Sequence, residues 1–162
     1  MNLVIRRADL SSDTDVSAIV TMTQTYASDP NALGRPLGPD VEARLPEALR
    51  AHPGLVILLA WNDERPVGIA HCVLSFSSFR AAPVLNIHDL AVAPSERGRG
   101  VGKQLLEAVA DTGRKLGCCK VTLEVSPKNP ARAFYESTGF AVTSHFMERD
   151  LDETGNPWAK DR

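Results

Sequence analysis

The stretch Leu90-Ala91-Val92-Ala93-Pro94-Ser95-Glu96-Arg97-Gly98-Arg99-Gly100-Val101-Gly102-Lys103 constrains the fold more than any other part of this chain. An apolar, strand-like run stops at a proline, and a basic, glycine-rich turn opens a helix. Three glycines in five residues let backbone N–H groups come close to an anion, and the helix N-terminus adds partial positive charge. Arg97, Arg99 and Lys103 supply formal charge. Like charges this close repel, and a bound anion relieves the repulsion. A lone glycine would mean only a strand-to-helix turn. Three glycines among three cations read as a pyrophosphate site, which points to a nucleotide-bearing cofactor.

The rest of the chain places that turn in a mixed α/β fold. Leu3 to Ile5 reads as a first strand. Ser12 can cap a helix, with Asp15 in a capping-box-like position, and Val16, Ile19, Val20 and Thr23 form one helical face. Asp29 to Pro39 is loop-like. A second helical segment lies between Val41 and Arg50, which Pro46 must kink or start. Leu55 to Trp61, Pro66 to Phe76 and Val84 to Val92 read as strands, the first two joined as a hairpin by Asn62 to Arg65. Gly100 to Leu116 carries an apolar stripe at Val101, Leu105, Ala108, Val109, Thr112 and Leu116, and Gly117 is a natural stop. Lys120 to Val125 alternates as a strand. Asn129 can cap a short helix with Pro130 at its first position, ending at Gly139. Ala141 to Leu151 suggests one or two final strands, and Asp152 to Arg162 is a polar tail. Sequential antiparallel strands followed by one crossover helix predict a mixed, largely antiparallel sheet flanked by about four helices. A doubly wound parallel sheet fits less well. No repeat or linker divides the chain, so residues 1–151 are expected to form one domain.

Composition excludes several classes. A formal net charge of -2 over 162 residues argues against a dedicated nucleic-acid binder. Cys72, Cys118 and Cys119 are odd in number, two are adjacent, and no metal-ligand spacing is present. Reduced thiols and a cytoplasmic location are expected. Met1 to Arg7 lacks a signal-peptide core, and Leu55 to Trp61 is far too short to span a bilayer. No membrane role and no metal are expected.

Three nucleotide motifs compete for the glycine turn. A P-loop requires four residues between its first glycine and the Gly-Lys pair, then a hydroxyl residue for magnesium. Here only three separate Gly98 from Gly102-Lys103, and Gln104 follows. A dinucleotide fingerprint needs Gly-x-Gly-x-x-Gly and an acidic residue about 20 positions later. Glu124 is suitably placed, but the spacing is Gly98-x-Gly100-x-Gly102 and too little chain remains. The third pattern, Arg/Gln-x-x-Gly-x-Gly/Ala, is met by Arg97, Gly100 and Gly102.

With the strand Ile87-His88-Asp89-Leu90-Ala91-Val92 before the turn, and Asn129-Pro130-Ala131-Arg132-Ala133-Phe134-Tyr135 and Gly139-Phe140 after it, the chain resembles the GCN5-related N-acetyltransferases (GNAT) between about Leu55 and Phe146. The resemblance implies an acyl-CoA-dependent N-acyltransferase using acetyl-CoA as co-substrate. The amides of Arg97, Gly98, Arg99, Gly100, Val101, Gly102 and Lys103 would hold the pyrophosphate. Leu90, Ala91 and Val92 would run beside the pantetheine arm like an extra strand. An amide near Val92 would face the thioester oxygen. The strands matching Val84–Val92 and Lys120–Val125 would splay to admit the cofactor. Asn129 would cap its helix and also bond the pantetheine.

An alkylamine is largely protonated at neutral pH, so attack on a thioester calls for a base, and the departing thiolate benefits from a proton donor. Tyr135 matches the family's acid tyrosine, and an ordinary phenol keeps its proton at neutral pH. Simple packing of Phe134 and Tyr135 on the sheet is the alternative. His88 is the candidate base, since a histidine titrates near neutrality. It sits two residues before Leu90 and so shares its strand face, while Asp89 points to the opposite face. Glu124 or a relayed water are alternatives, and His71 and His145 have no motif support.

The central segment is similar to the diamine and polyamine branch. That branch has an acidic residue where His88 stands and a tryptophan where Lys128 stands. The acceptor-side segment from Tyr26 to Arg44 mixes Asp29, Arg35, Asp40, Glu42 and Arg44. A small-molecule primary amine is the favoured acceptor, with a protein N-terminus or lysine as the alternative. A non-catalytic CoA-binding or sensing module is the competing reading. Exposed sheet edges would also allow a homodimer.

Overall fold

The computed structural model describes residues 2–147. Two compact units are present, Met1–Glu124 and Val125–Arg162. The first holds a five-stranded sheet in the order β1 (Leu3–Arg7), β2 (Leu55–Asn62), β3 (Arg65–Ser77), β4 (Ala82–Val92) and β5 (Lys120–Leu123). The first four strands pair antiparallel in sequence order, and β5 joins β4 in parallel. A parallel neighbour needs a crossover, and α3 (Val101–Lys115) supplies it. With α1 (Asp13–Ala27), α2 (Pro39–Ala51) and α4 (Ala131–Ser137), the fold is the mixed α/β, largely antiparallel architecture that the sequence predicts.

The start of α1 differs in detail. The Ser12 hydroxyl accepts the Asp15 N–H at 3.4 Å, but Asp15 does not complete a capping box. Its buried carboxylate accepts both Arg6 guanidinium N–H groups at 2.6 Å and the Asp9 N–H at 2.8 Å. Asp15 therefore ties α1 to β1. The buried stripe of α1 runs through Asp15, Ala18, Ile19 and Met22, at helical spacing. Val20 and Thr23 lie at its margin. Helix α2 opens earlier than expected, with Pro39 at its first position, where no backbone donor is needed. Pro46 lies inside it rather than ending it.

Alternation along the strands divides the core. Ile57, Leu59, Trp61, Ile69 and Ala91 share one face with Ile19 and Met22 of α1 and Leu49 of α2. On the other face lies Gly68, where a Cβ would come within 2.9 Å of Leu105 of α3 and 3.3 Å of Ala60. Glycine thus lets α3 approach the centre of the sheet. Leu105 and Val109 are fully buried there.

In the second unit, the Asn129 carboxamide oxygen accepts the Ala131 N–H at 2.9 Å and so caps α4. Gly139, at φ +93°, ends the turn after α4. The rings of Tyr135 and Phe140 meet edge-on at 6.0 Å. The expected strands from Ala141 to Leu151 do not appear over residues 141–147, and the remainder lies outside the described residues, as does the tail from Asp152. Strand β5 also stops at Leu123, short of the expected Val125. Among the described residues no helix is long and apolar enough to cross a membrane.

Two outcomes follow from this packing. Leu105→Ala should destabilise the protein by about 2–5 kcal/mol, read as a lower denaturation midpoint with an unchanged denaturant slope. The Arg6 hydrogen bonds hold the Asp15 carboxyl below its ordinary range. A carboxyl depressed in the folded state contributes stability that is complete above its unfolded pKa of about 3.9 and lost as pH falls through the folded value. Asp15→Asn should therefore lower stability at neutral pH and flatten its decline in acid, measured by denaturation between pH 7 and pH 2.

Candidate active site

β4 has two edges with different fates. One pairs with β3 along the strand, as far as Gly68↔Val92. The other pairs with β5 only from Val84↔Lys120 to Ile87↔Leu123. Among the described residues, no strand lies beside the second edge beyond Ile87. The Ala93 N–H bonds inward to the Val67 carbonyl at 2.9 Å. Alternation then turns the backbone groups of Leu90 and Val92 to the open edge and those of Ala91 toward β3. The outward Val92 carbonyl accepts the Arg97 Nε–H at 3.1 Å. The outward N–H groups form an edge onto which an extended amide-bearing chain can add.

The glycine turn follows directly. Pro94–Glu96 forms one 3-10 turn. Gly98 and Gly100 then adopt φ +75° and +81°. Neither is crowded, so it is the left-handed backbone, not space, that calls for glycine. Gly100 caps α3 without a side chain. Buried Val101 pins the first turn to the core, and the N–H groups of Val101, Gly102 and Lys103 lack partners within the helix. Such a terminus suits an anion.

The turn's arginines do not carry loose charge. Arg97 Nη2 bonds Asp29 at 2.6 Å, joining the turn to the loop after α1. Glu96, only 3% exposed, receives Arg65 at 2.6 Å and Arg99 at 3.3 Å. With both arginines paired, the exposed Lys103 and the backbone N–H groups are what the turn has left to offer an anion.

His88 lies where β4 becomes irregular. His71 faces Asp89, yet the next residue, Cys72, faces Ile87. His88 is the extra residue of a β-bulge, and bulges re-aim side chains. The expected face assignment is thereby corrected. Asp89 shares the face of His71, and Leu90 that of Ala70. The Asp89 carboxylate lies 3.7 Å from His88 Nδ1 and 3.8 Å from His71 Nδ1, so His88 and Asp89 act on the same side. The contact with Asp89 raises the His88 pKa, and burial opposes it. Burial lowers the His71 pKa, with Asp89 opposing.

Other residues take clear positions. Asn86 Nδ2 donates to Thr122 Oγ1 at 3.1 Å and to Glu124 Oε1 at 3.3 Å, placing Glu124 just past the last paired rung of β4 and β5. Burial, with the field of Asp89, raises the Tyr26 phenol pKa. Burial pushes the Cys72 thiol up to about 12, so it stays protonated and unreactive. Asn129 and Tyr135 belong to the second unit. Sequence reasoning puts Asp89 on the face opposite His88, gives His71 no role and does not reveal Asp29 as the partner of Arg97. A bulge changes strand phase without a residue signature, and the partners are distant in sequence.

Gly100→Ala should cost about 1–2 kcal/mol through its left-handed conformation alone, measurable by chemical denaturation.

Comparison with known proteins adds the family. The family model described as acetyltransferase (GNAT) family matches residues 20–140. A glucosamine 6-phosphate N-acetyltransferase of Trypanosoma brucei brucei is 41% identical over 66 residues, 41% of this chain and 44% of that enzyme. The uncharacterized N-acetyltransferase YhfO of Bacillus subtilis is 30% identical over 112 residues, 68% of this chain and 74% of that protein. The chain thus spans less than half of the trypanosomal enzyme's length and about three quarters of YhfO. The aminoglycoside acetyltransferase AAC(6')-Iy, solved with the bisubstrate analog CoA-S-monomethyl-acetylneamine, shares the fold at TM-score 0.74 and 22% identity, over 94% of this chain and 99% of that one. With the strand, turn and helix arranged as described and the family model matched over most of its length, this chain belongs to the GNAT acetyltransferase family.

Proposed function

We propose that the protein transfers an acetyl group from acetyl-CoA to the primary amine of a small molecule by direct attack on the thioester. One observation carries this reading. The edge of β4 at Leu90 and Val92, open among the described residues, runs directly into a helix N-terminus that has no side-chain cap and whose first N–H groups have no partner within the helix. A strand edge followed by an anion cradle matches an amide-bearing arm that ends in a pyrophosphate. Relatives named for glucosamine 6-phosphate and aminoglycosides act on amino sugars, which supports a small amine as acceptor.

Acetyl-CoA supplies an electrophilic carbonyl and a thiolate leaving group. The chain's own groups do the rest in this reading. Amides of Arg97 to Lys103 hold the pyrophosphate, and Leu90, Ala91 and Val92 align the pantetheine, assisted by Asn129. The outward Val92 N–H offers a hydrogen bond to the thioester oxygen as negative charge develops. His88 takes the proton that the amine loses as its nitrogen bonds to the acetyl carbon. Tyr135, assigned from its motif position, gives a proton to the sulfur as the carbon–sulfur bond breaks. Residues 1–151 would form one functional domain.

The test is thiol release from acetyl-CoA across a panel of amino sugars, aminoglycosides, diamines and a lysine peptide. Release with at least one small amine is expected. Binding of acetyl-CoA with no release from any amine would leave a CoA-binding module, and no binding would remove both readings. Tyr135→Phe should lower turnover about 100-fold or more with acetyl-CoA affinity nearly unchanged by calorimetry. Unchanged turnover would remove Tyr135 from the mechanism.

A further inference from the structure

The bulge in β4 creates a cluster that no motif describes. A regular strand would send His88 and Asp89 to opposite faces, but here one carboxylate lies within 4 Å of two imidazoles. Its Oδ1 lies 3.7 Å from His88 Nδ1, and its Oδ2 lies 3.8 Å from His71 Nδ1. The two rings are 6.5 Å apart between centroids. Asp89 is partly covered, His71 more so, and His88 is largely exposed.

Resting on the acetyltransferase reading above, we propose that Asp89 is a positioning residue of the transfer site. It holds the proton of His88 on Nδ1 and so leaves Nε2 as the proton acceptor for the incoming amine, while His71 braces the other carboxylate oxygen. The chemistry is that of a carboxylate fixing the tautomer of a histidine base. The proton leaves the amine nitrogen for His88 Nε2, the Nδ1 proton stays in place, and the resulting imidazolium faces the carboxylate.

The surrounding groups fit this division of labour. His88 is faced by Asp89 on its own strand, His71 on β3 and Glu124 just beyond β5, and the two carboxylates both favour its charged form. His71 is faced by Asp89, by His88 and by His52 at the end of α2. Burial and both histidines disfavour its charge. A neutral His71 leaves the Asp89 charge uncancelled. Tyr26 of α1 senses Asp89 from the core side and, with its pKa raised chiefly by burial, stays a neutral phenol.

The experiment uses the full chain. In the wild-type protein, long-range imidazole nitrogen NMR should show neutral His88 carrying its proton on Nδ1. A dominant Nε2–H tautomer overturns the proposal without any variant. In D89N, the His88 titration should move to lower pH. The acid limb of kcat/KM for the accepted amine should move with it, and kcat should fall about tenfold or more at constant KM for acetyl-CoA. An unmoved acid limb, or a D89N rate loss as large in an H88Q background as in the wild type, overturns the role through His88. If wild-type protein releases no thiol with any amine, the acetyltransferase reading falls and takes this role with it. An active enzyme whose His88 titration ignores D89N sinks only the present inference.

Discussion

The candidate site depends on one constraint. β4 keeps its hydrogen bonds to β3 after it has lost those to β5. Pairing with β5 ends at Ile87↔Leu123, while pairing with β3 continues to Val92. Residues 89–92 are therefore held by β3 on one side and, among the described residues, left open on the other. An open edge is normally a liability that invites association. Here it leads into the start of α3, whose first N–H groups have no partner within the helix. Both features ask for a ligand with amides at one end and an anion at the other.

The second structural theme is how carboxylates lock loops to the sheet. Asp15 is buried and closes on Arg6, fixing α1 on β1. Glu96 is buried beneath the glycine turn and holds Arg65 from the β2–β3 hairpin and Arg99 from the turn. Asp29 engages Arg97, and Arg97 also binds the Val92 carbonyl. Buried charges persist only where partnered, so each pairing fixes a loop in one place. The glycine turn is thus shaped from below by ion pairs and presents mainly backbone above. Its positive charge is arranged to hold the fold before it serves any ligand.

Much of this was legible in the sequence because it is local. Gly98 and Gly100 announce left-handed backbone, and the apolar stripe of Val101, Leu105 and Val109 announces α3. The order of short alternating runs gives the antiparallel sheet and its single crossover. Asn129 reads as a cap from its position alone, and it caps α4. The failures are long-range. By local pattern Asp15 reads as half of a capping box, and nothing local reveals Arg6 nine residues away on another element. Strict alternation separates Asp89 from His88, and only the pairing of β3 with β4 exposes the bulge that brings them together.

Sequence alone determined the family of chemistry this chain carries. A strand, a glycine turn and a helix in immediate succession carry the family pattern, and their geometry follows from backbone preferences that neighbours share. Tertiary structure decided what surrounds that site. Whether β4 has a free edge depends on where β5 stops. Whether His88 and Asp89 approach each other depends on one extra residue in a ladder, and whether Arg97 and Arg99 are free depends on Asp29 and Glu96. Each outcome is set by partners brought together across the sheet, and no local pattern of residue types encodes them.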